Sequence, residues 1–100
     1  MRNFRTFDLA VQFYRSTQSL KLKGALRDQL QRAASSIALN LAEGRGRPTV
    51  KDQVRFFHIA FGSVRECQAI FELAAMHEHP AYRQLDSLAG ALFSLIRNAG

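Results

Sequence analysis

Apolar residues recur along this chain at intervals of three and four, the period of an α-helix. Nowhere do they alternate with polar residues over five successive positions, as a half-buried strand requires. Prolines at 48 and 80 and glycines at 24, 44 and 46 punctuate the pattern into four segments. The first, approximately residues 6–20, has Thr6 as its expected N-cap and Asp8 in the first turn, where the helix dipole favours an anion. Its apolar face combines Phe7, Val11 and Tyr14 with Leu9, Phe13 and Leu20. The second, approximately 25–43, carries Leu26, Leu30, Ala33, Ile37 and Leu41. It is expected to stop at Gly44 in a left-handed conformation.

The third segment, approximately 49–77, opens on Thr49 with Asp52 three residues on, a capping-box-like arrangement. Val50, Phe57, Val64 and Phe71 recur every seven residues, and a further face carries Phe56, Ala60, Cys67 and Ile70. That apolar arc is wider than one side of a small bundle needs, which predicts a subunit interface. The fourth segment, approximately 81–98, follows Pro80 and presents Leu85, Leu88, Leu92 and Leu95. Four helices with short links predict an all-α fold of one domain: an antiparallel up-down four-helix bundle. A core drawn from one hundred residues is marginal, and self-association would support it.

Beside the apolar stripe of the second helix runs an equally regular polar one: Gln29, Arg32, Ser36, Asn40 and Glu43. The small run Ala33-Ala34-Ser35-Ser36 lets a neighbouring helix approach closely. If helices two and three fold back around Gly46, Arg32 falls within a turn of Glu66, so the two are expected to pair. Asn40 and Glu43 are expected to hydrogen-bond near the hairpin end. Buried polar pairs of this kind fix register more than they add stability.

Composition narrows the function classes. At 47% apolar and 22% charged residues the chain can bury a core and is not of the disordered class. A single cysteine forms no internal disulfide, which indicates a reducing compartment. No apolar run approaches the length of a membrane span, and residues 1–5 lead into no apolar stretch of the signal-peptide kind, so a cytoplasmic location is expected. Residues 1–55 hold eleven Lys/Arg against four Asp/Glu, whereas residues 56–100 hold three against four. The basic half suits an anionic partner, either nucleic acid or an acidic protein surface.

Catalytic chemistry finds little support. Glu72, Met76, His77 and Glu78 do not give the Glu-x-x-His spacing of a bundle metal site, and no metal or cofactor is expected. His58 reads as a surface or interface residue and Cys67 as a small buried thiol. Gly44-Arg45-Gly46 follows a helix and lacks the Lys-Ser/Thr ending of a phosphate loop. The candidate anion site is the basic hairpin: Arg45 and Arg47 on the turn, with Lys51 and Arg55 one helical turn apart. Lys21, Lys23 and Arg27 are its candidate extensions. Such an array neutralises phosphates without reading bases. The competing reading is a solvated hairpin on a protein-binding scaffold whose charge serves solubility.

The run from Gln29 to Gly44 (QLQRAASSIALNLAEG), with Phe56 to Glu66 (FFHIAFGSVRE), resembles the four-helix-bundle family encoded by intervening sequences of bacterial 23S ribosomal RNA genes. That family is related to the accessory protein of diversity-generating retroelements. The resemblance implies a bacterial bundle without assigned activity that assembles into a ring-like homo-oligomer, a pentamer in known members. It also implies, from the retroelement relatives, binding to nucleic acid or to a nucleic-acid-processing protein through basic surfaces. The family's motif positions fall on Gln29, Arg32, Ser36, Asn40, Ala42, Glu43 and Gly44, then on Ala60, Gly62, Ser63 and Glu66, and look structural. Ala38 stands where the family often has Pro, and Arg65 where it has an apolar residue.

Overall fold

The computed structural model describes residues 4–99. They form four helices: α1 (Arg5–Thr17), α2 (Gly24–Arg45), α3 (Val50–Leu73) and α4 (Pro80–Arg97). Consecutive helices pack side by side and α4 closes back on α1, while the diagonal pairs α1/α3 and α2/α4 make no backbone approach. The body measures 39 × 21 × 19 Å. No strand occurs among the described residues, and no described helix is long and apolar enough to cross a membrane.

Most of the expected stripes enter the core, but on α1 the buried face is Thr6, Ala10, Phe13 and Thr17, with Phe7, Leu9, Val11 and Tyr14 only partly covered; Leu26, Phe56 and Leu95 are likewise half-buried. Phe13 from α1, Ile37 and Leu41 from α2, Val64 and Phe71 from α3, and Leu88 from α4 are all fully buried. Phe13 and Phe71 meet across the centre with ring centroids 6.2 Å apart, and Phe71 in turn packs on Tyr82 of α4 at 5.7 Å. Antiparallel register is visible at the α1–α2 seam. Gln31 of α2 donates to the Thr17 carbonyl and hydroxyl at the end of α1, while Arg45 at the far end of α2 lies over Phe4 at the start of α1.

Helix ends differ from expectation in instructive ways. α1 begins at Arg5, and Thr6 is a buried residue of its first turn, not the N-cap. It ends at Thr17, whose hydroxyl donates to the Tyr14 carbonyl at 2.6 Å; tight turns then bring Leu20 back into the core. α2 runs through Gly44 to Arg45, so Gly44 is a buried helical residue instead of a left-handed terminus. It is glycine for space: a Cβ there would lie 2.7 Å from Cε1 of Phe57 and 3.0 Å from the Gln53 carbonyl oxygen. The left-handed glycine is Gly24, at the start of α2, with φ +67°.

Thr49 caps α3 through its hydroxyl, which accepts the Asp52 N–H at 3.1 Å. α3 stops at Leu73, four residues before the expected end. There Ala75 turns left-handed at φ 55°, the Met76 N–H bonds the Phe71 carbonyl and the Ala75 N–H bonds that of Glu72. These two bonds are a Schellman closure, with Ala75 where glycine is usual. Pro80 opens α4, and His79 caps it by accepting the Ala81 N–H on Nδ1 at 3.0 Å.

Candidate functional site

The α2–α3 hairpin brings its cations together on aromatic supports. Arg47 Nη2 lies 2.9 Å from Glu43 Oε2, one helical turn back, and its guanidinium stands 4.8 Å from the centre of the Phe56 ring. The Arg55 guanidinium approaches the same ring at 4.5 Å. Arg45, half-buried, lies 5.2 Å above Phe4, which is itself stacked on Phe7. Gln53 Nε2 donates to the Arg47 carbonyl at 2.9 Å and holds the turn. Lys51 is exposed one turn before Arg55. A guanidinium resting on an aromatic face gains about 0.5–1 kcal/mol at an exposed site and loses less freedom when it meets an anion.

The sequence marks these four cations but not their supports. Phe56 and Phe4 organise the arginines, and the adjacency of Arg55 and Phe56 is the one signal the sequence offers. The N-terminus of α3 contributes less than expected, because Thr49 already satisfies one N–H and Asp52 places an anion in the first turn. The proposed extensions lie elsewhere. Lys21 and Lys23 sit in the α1–α2 connection at the other end of the molecule, and Arg27 is about 27 Å from Arg45 along α2 at 1.5 Å per residue. Arg27 stands 3.8 Å from Asp28 with both side chains exposed, a pairing of little strength.

The polar stripe of α2 is only partly joined to α3. Ser63 donates to the Ser36 hydroxyl across the seam at 2.9 Å, and Asn40 Nδ2 donates to the same oxygen at 3.0 Å and to the Ser36 carbonyl at 2.9 Å. Glu43 bonds Arg47 at the hairpin end. Gln29, Arg32 and Glu66 are exposed, and no ion pair joins Arg32 to Glu66, contrary to expectation. Their heights do match, since the Ser36–Ser63 contact sets Arg32 level with residue 67. At about 100° per residue, however, Arg32 lies roughly 40° beyond Ser36 and Glu66 roughly 60° beyond Ser63, both rotated outward from the seam.

The family profile of the 23S rRNA-intervening sequence protein matches residues 4–97. The chain belongs to that family. A crystal structure of a protein of unknown function from the S23 ribosomal protein family of Bacteroides thetaiotaomicron superposes with a TM-score of 0.68. It is 18% identical to this chain, the alignment covers 94% of each, and the likeness is one of fold. A search of curated proteins finds no significant match.

Within this member of the family, Cys67 and His77 are taken up by packing and local contacts, whereas His58 is exposed. Cys67 is fully buried; burial first, and then the charge of Glu66, push its thiol up to about 12, which leaves it protonated and unreactive near neutrality. His77 Nε2 lies 3.0 Å from Glu72 Oε2 and its ring packs edge-on against Tyr82. Among the described residues, no three His, Cys, Asp or Glu side chains converge as metal ligands. The hairpin cations form an open, convex array whose evident chemistry is electrostatic.

Proposed function

We propose that this chain is a non-enzymatic, cytoplasmic bundle that binds nucleic-acid backbone without sequence selectivity through Arg45, Arg47, Lys51 and Arg55. The observation that carries the reading is the docking of Arg47 and Arg55 on one ring, Phe56. Two guanidinium groups rested on one ring, with Lys51 beside them, offer phosphates a cluster of donors that needs little ordering on contact. Docking on a nucleic-acid-processing protein through an acidic surface would use the same array.

The bundle would act as a ring-like homo-oligomer, a pentamer by family resemblance. Support comes from Leu39, 68% exposed, and Ile59, 43% exposed. The Ser36–Ser63 contact places them at the same height, on the outward side of the α2–α3 seam. Repetition of the hairpin around such a ring would multiply its attraction for a polyanion.

The test is binding of a mixed-sequence RNA and a duplex DNA across a salt series. Affinity should fall steeply with salt, and each of Arg47→Ala, Lys51→Ala and Arg55→Ala should reduce the slope by about one. Absence of binding at low salt would overturn the reading and favour the scaffold alternative, in which the exposed apolar positions serve assembly and the charge serves solubility. Light scattering separately tests the oligomer.

A further inference from the structure

The hairpin cations continue onto a second surface. Lys51, Arg55, His58, Gly62 and Arg65 follow one another along α3 at spacings of four, three, four and three, and all five are exposed. Lys51, Arg55 and Arg65 give that face three cations over about 21 Å at 1.5 Å per residue, and the exposed Glu66 borders it about 20° beyond Arg55. Asp52, beside Lys51 in sequence, is turned about 100° away from it. The face is bordered by α4, where Phe93 is 56% exposed and the Arg97 guanidinium lies 5.7 Å from its ring centre. On α3 the Arg65 guanidinium lies 4.9 Å from the Phe61 ring and is steadied by Gln68, which accepts from its Nη1 at 3.1 Å.

Register places these two arginine–phenylalanine pairs at one level. Phe71 and Tyr82 touch across the α3–α4 seam. Phe61 lies ten residues back along α3 and Phe93 eleven residues forward along α4, about 15 and about 16.5 Å in the same direction. Eleven residues also amount to three turns and about 20°, so Phe93 projects from the same side of α4 as Tyr82, toward α3. An exposed ring among cations is of no use to a duplex, whose bases are stacked inside and whose phosphates require only charge. It does suit an unpaired strand, whose bases present open faces while its backbone follows the cations.

We propose that an unpaired polynucleotide lies along the α3–α4 face, with its phosphates on Lys51, Arg55 and Arg65 and a base stacked on Phe93. This rests on the nucleic-acid reading of the hairpin and adds a preference for single strands. Stacking on an aromatic face is shared by RNA and DNA, so the 2′-hydroxyl is not part of the recognition.

The test measures fluorescence anisotropy of labelled decauridylate, decathymidylate and a blunt duplex with the same number of phosphates, at one low salt concentration. Both single strands should bind more tightly than the duplex and comparably to one another. Phe93→Ala should weaken single-strand binding roughly 5- to 150-fold and leave duplex binding and the salt slope unchanged. Phe93→Tyr should retain the preference. The proposal is overturned if Phe93→Ala leaves single-strand affinity intact, weakens strand and duplex alike, or dissociates an oligomer. A wide gap between decauridylate and decathymidylate would assign recognition to the 2′-hydroxyl or the thymine methyl, not to the ring face both share, and overturn it as well. Failure of all three probes to bind at low salt would defeat the underlying reading; equal binding of strand and duplex, sensitive to Arg55→Ala, would defeat only the stacking.

Discussion

The ring of Phe57 closes over the bare Cα of Gly44, so closely that an added Cβ would lie 2.7 Å from Cε1, with the Gln53 carbonyl oxygen at 3.0 Å on another side. Phe57 is itself buried and the carbonyl is backbone, so neither can move aside freely. Gly44→Ala therefore sets a gain in helix propensity against an overlap, and the overlap dominates. The variant should lose about 1–3 kcal/mol in chemical denaturation. Gly90→Ala supplies the contrast: nothing stands within 4 Å of its added Cβ, and the helix should gain about 0.5–1 kcal/mol. A stabilising Gly44→Ala would show that the α2–α3 hairpin is less closely packed than described.

Ala75 occupies the left-handed position of the Schellman closure at φ 55°, where its Cβ crowds the backbone. It is exposed and packs against nothing that glycine would forfeit. Ala75→Gly should raise stability by about 1 kcal/mol, read as a higher midpoint at unchanged denaturant slope. A fall in midpoint would mean that α3 continues past Leu73 in solution, as its sequence alone suggests.

These two positions show where the sequence is informative and where it is silent. Helical faces are legible because burial itself imposes the spacing: Leu30, Ile37 and Leu41, or Leu85, Leu88 and Leu92, can share a face only in a helix. The Thr49 cap is legible because its chemistry is local. Gly44 is ambiguous, since glycine near a helix end serves either a left-handed backbone or a close neighbour, and the neighbour is nine to thirteen residues away. The break after Leu73 is hidden among Ala74, Ala75 and Met76, all good helix formers. For Arg32 and Glu66, hairpin length gives their heights, but small rotations about two separate helix axes decide whether they meet. The cations of the candidate site can be read from the sequence; the ring that aligns Arg47 with Arg55 depends on how the turn folds.

His79 holds the start of α4 through a side-chain acceptor, a task that Asp or Asn performs with less bulk. His79→Ala should cost about 1 kcal/mol, and His79→Asp should restore most of it while adding an anion where the helix dipole favours one. Equal stability of the two variants would show that Pro80 alone starts the helix.

If Phe56 aligns the phosphate-binding arginines, its effect should be separable from theirs. Phe56→Leu keeps every charge and most of the apolar volume, but removes the face on which Arg47 and Arg55 rest. RNA affinity should fall roughly three- to tenfold, with the salt slope unchanged, because the slope counts charges and not their alignment. A flatter slope would indicate that the variant has lost charges from the interface, as a refolded hairpin would. Unchanged affinity would mean that the arginines reorder on contact at no measurable cost.

Cys67 links the core to alkaline pH. Its thiol titrates at about 12 in the folded chain against an ordinary 9.0, chiefly because the thiolate would be buried and secondarily because Glu66 repels it. The unfolded chain loses the proton first. The stability that rests on a protonated thiol is therefore complete below about pH 9 and is lost as pH rises toward about 12, by at most about 1.4 kcal/mol per pH unit. Tyrosines and lysines titrate over the same range, so the comparison must be with Cys67→Ala, which retains them all. Urea unfolding of both chains at several pH values should show the native one losing stability faster above about pH 9. Parallel curves would mean that water reaches Cys67 and that the seam between α2 and α3 opens more readily than its packing implies.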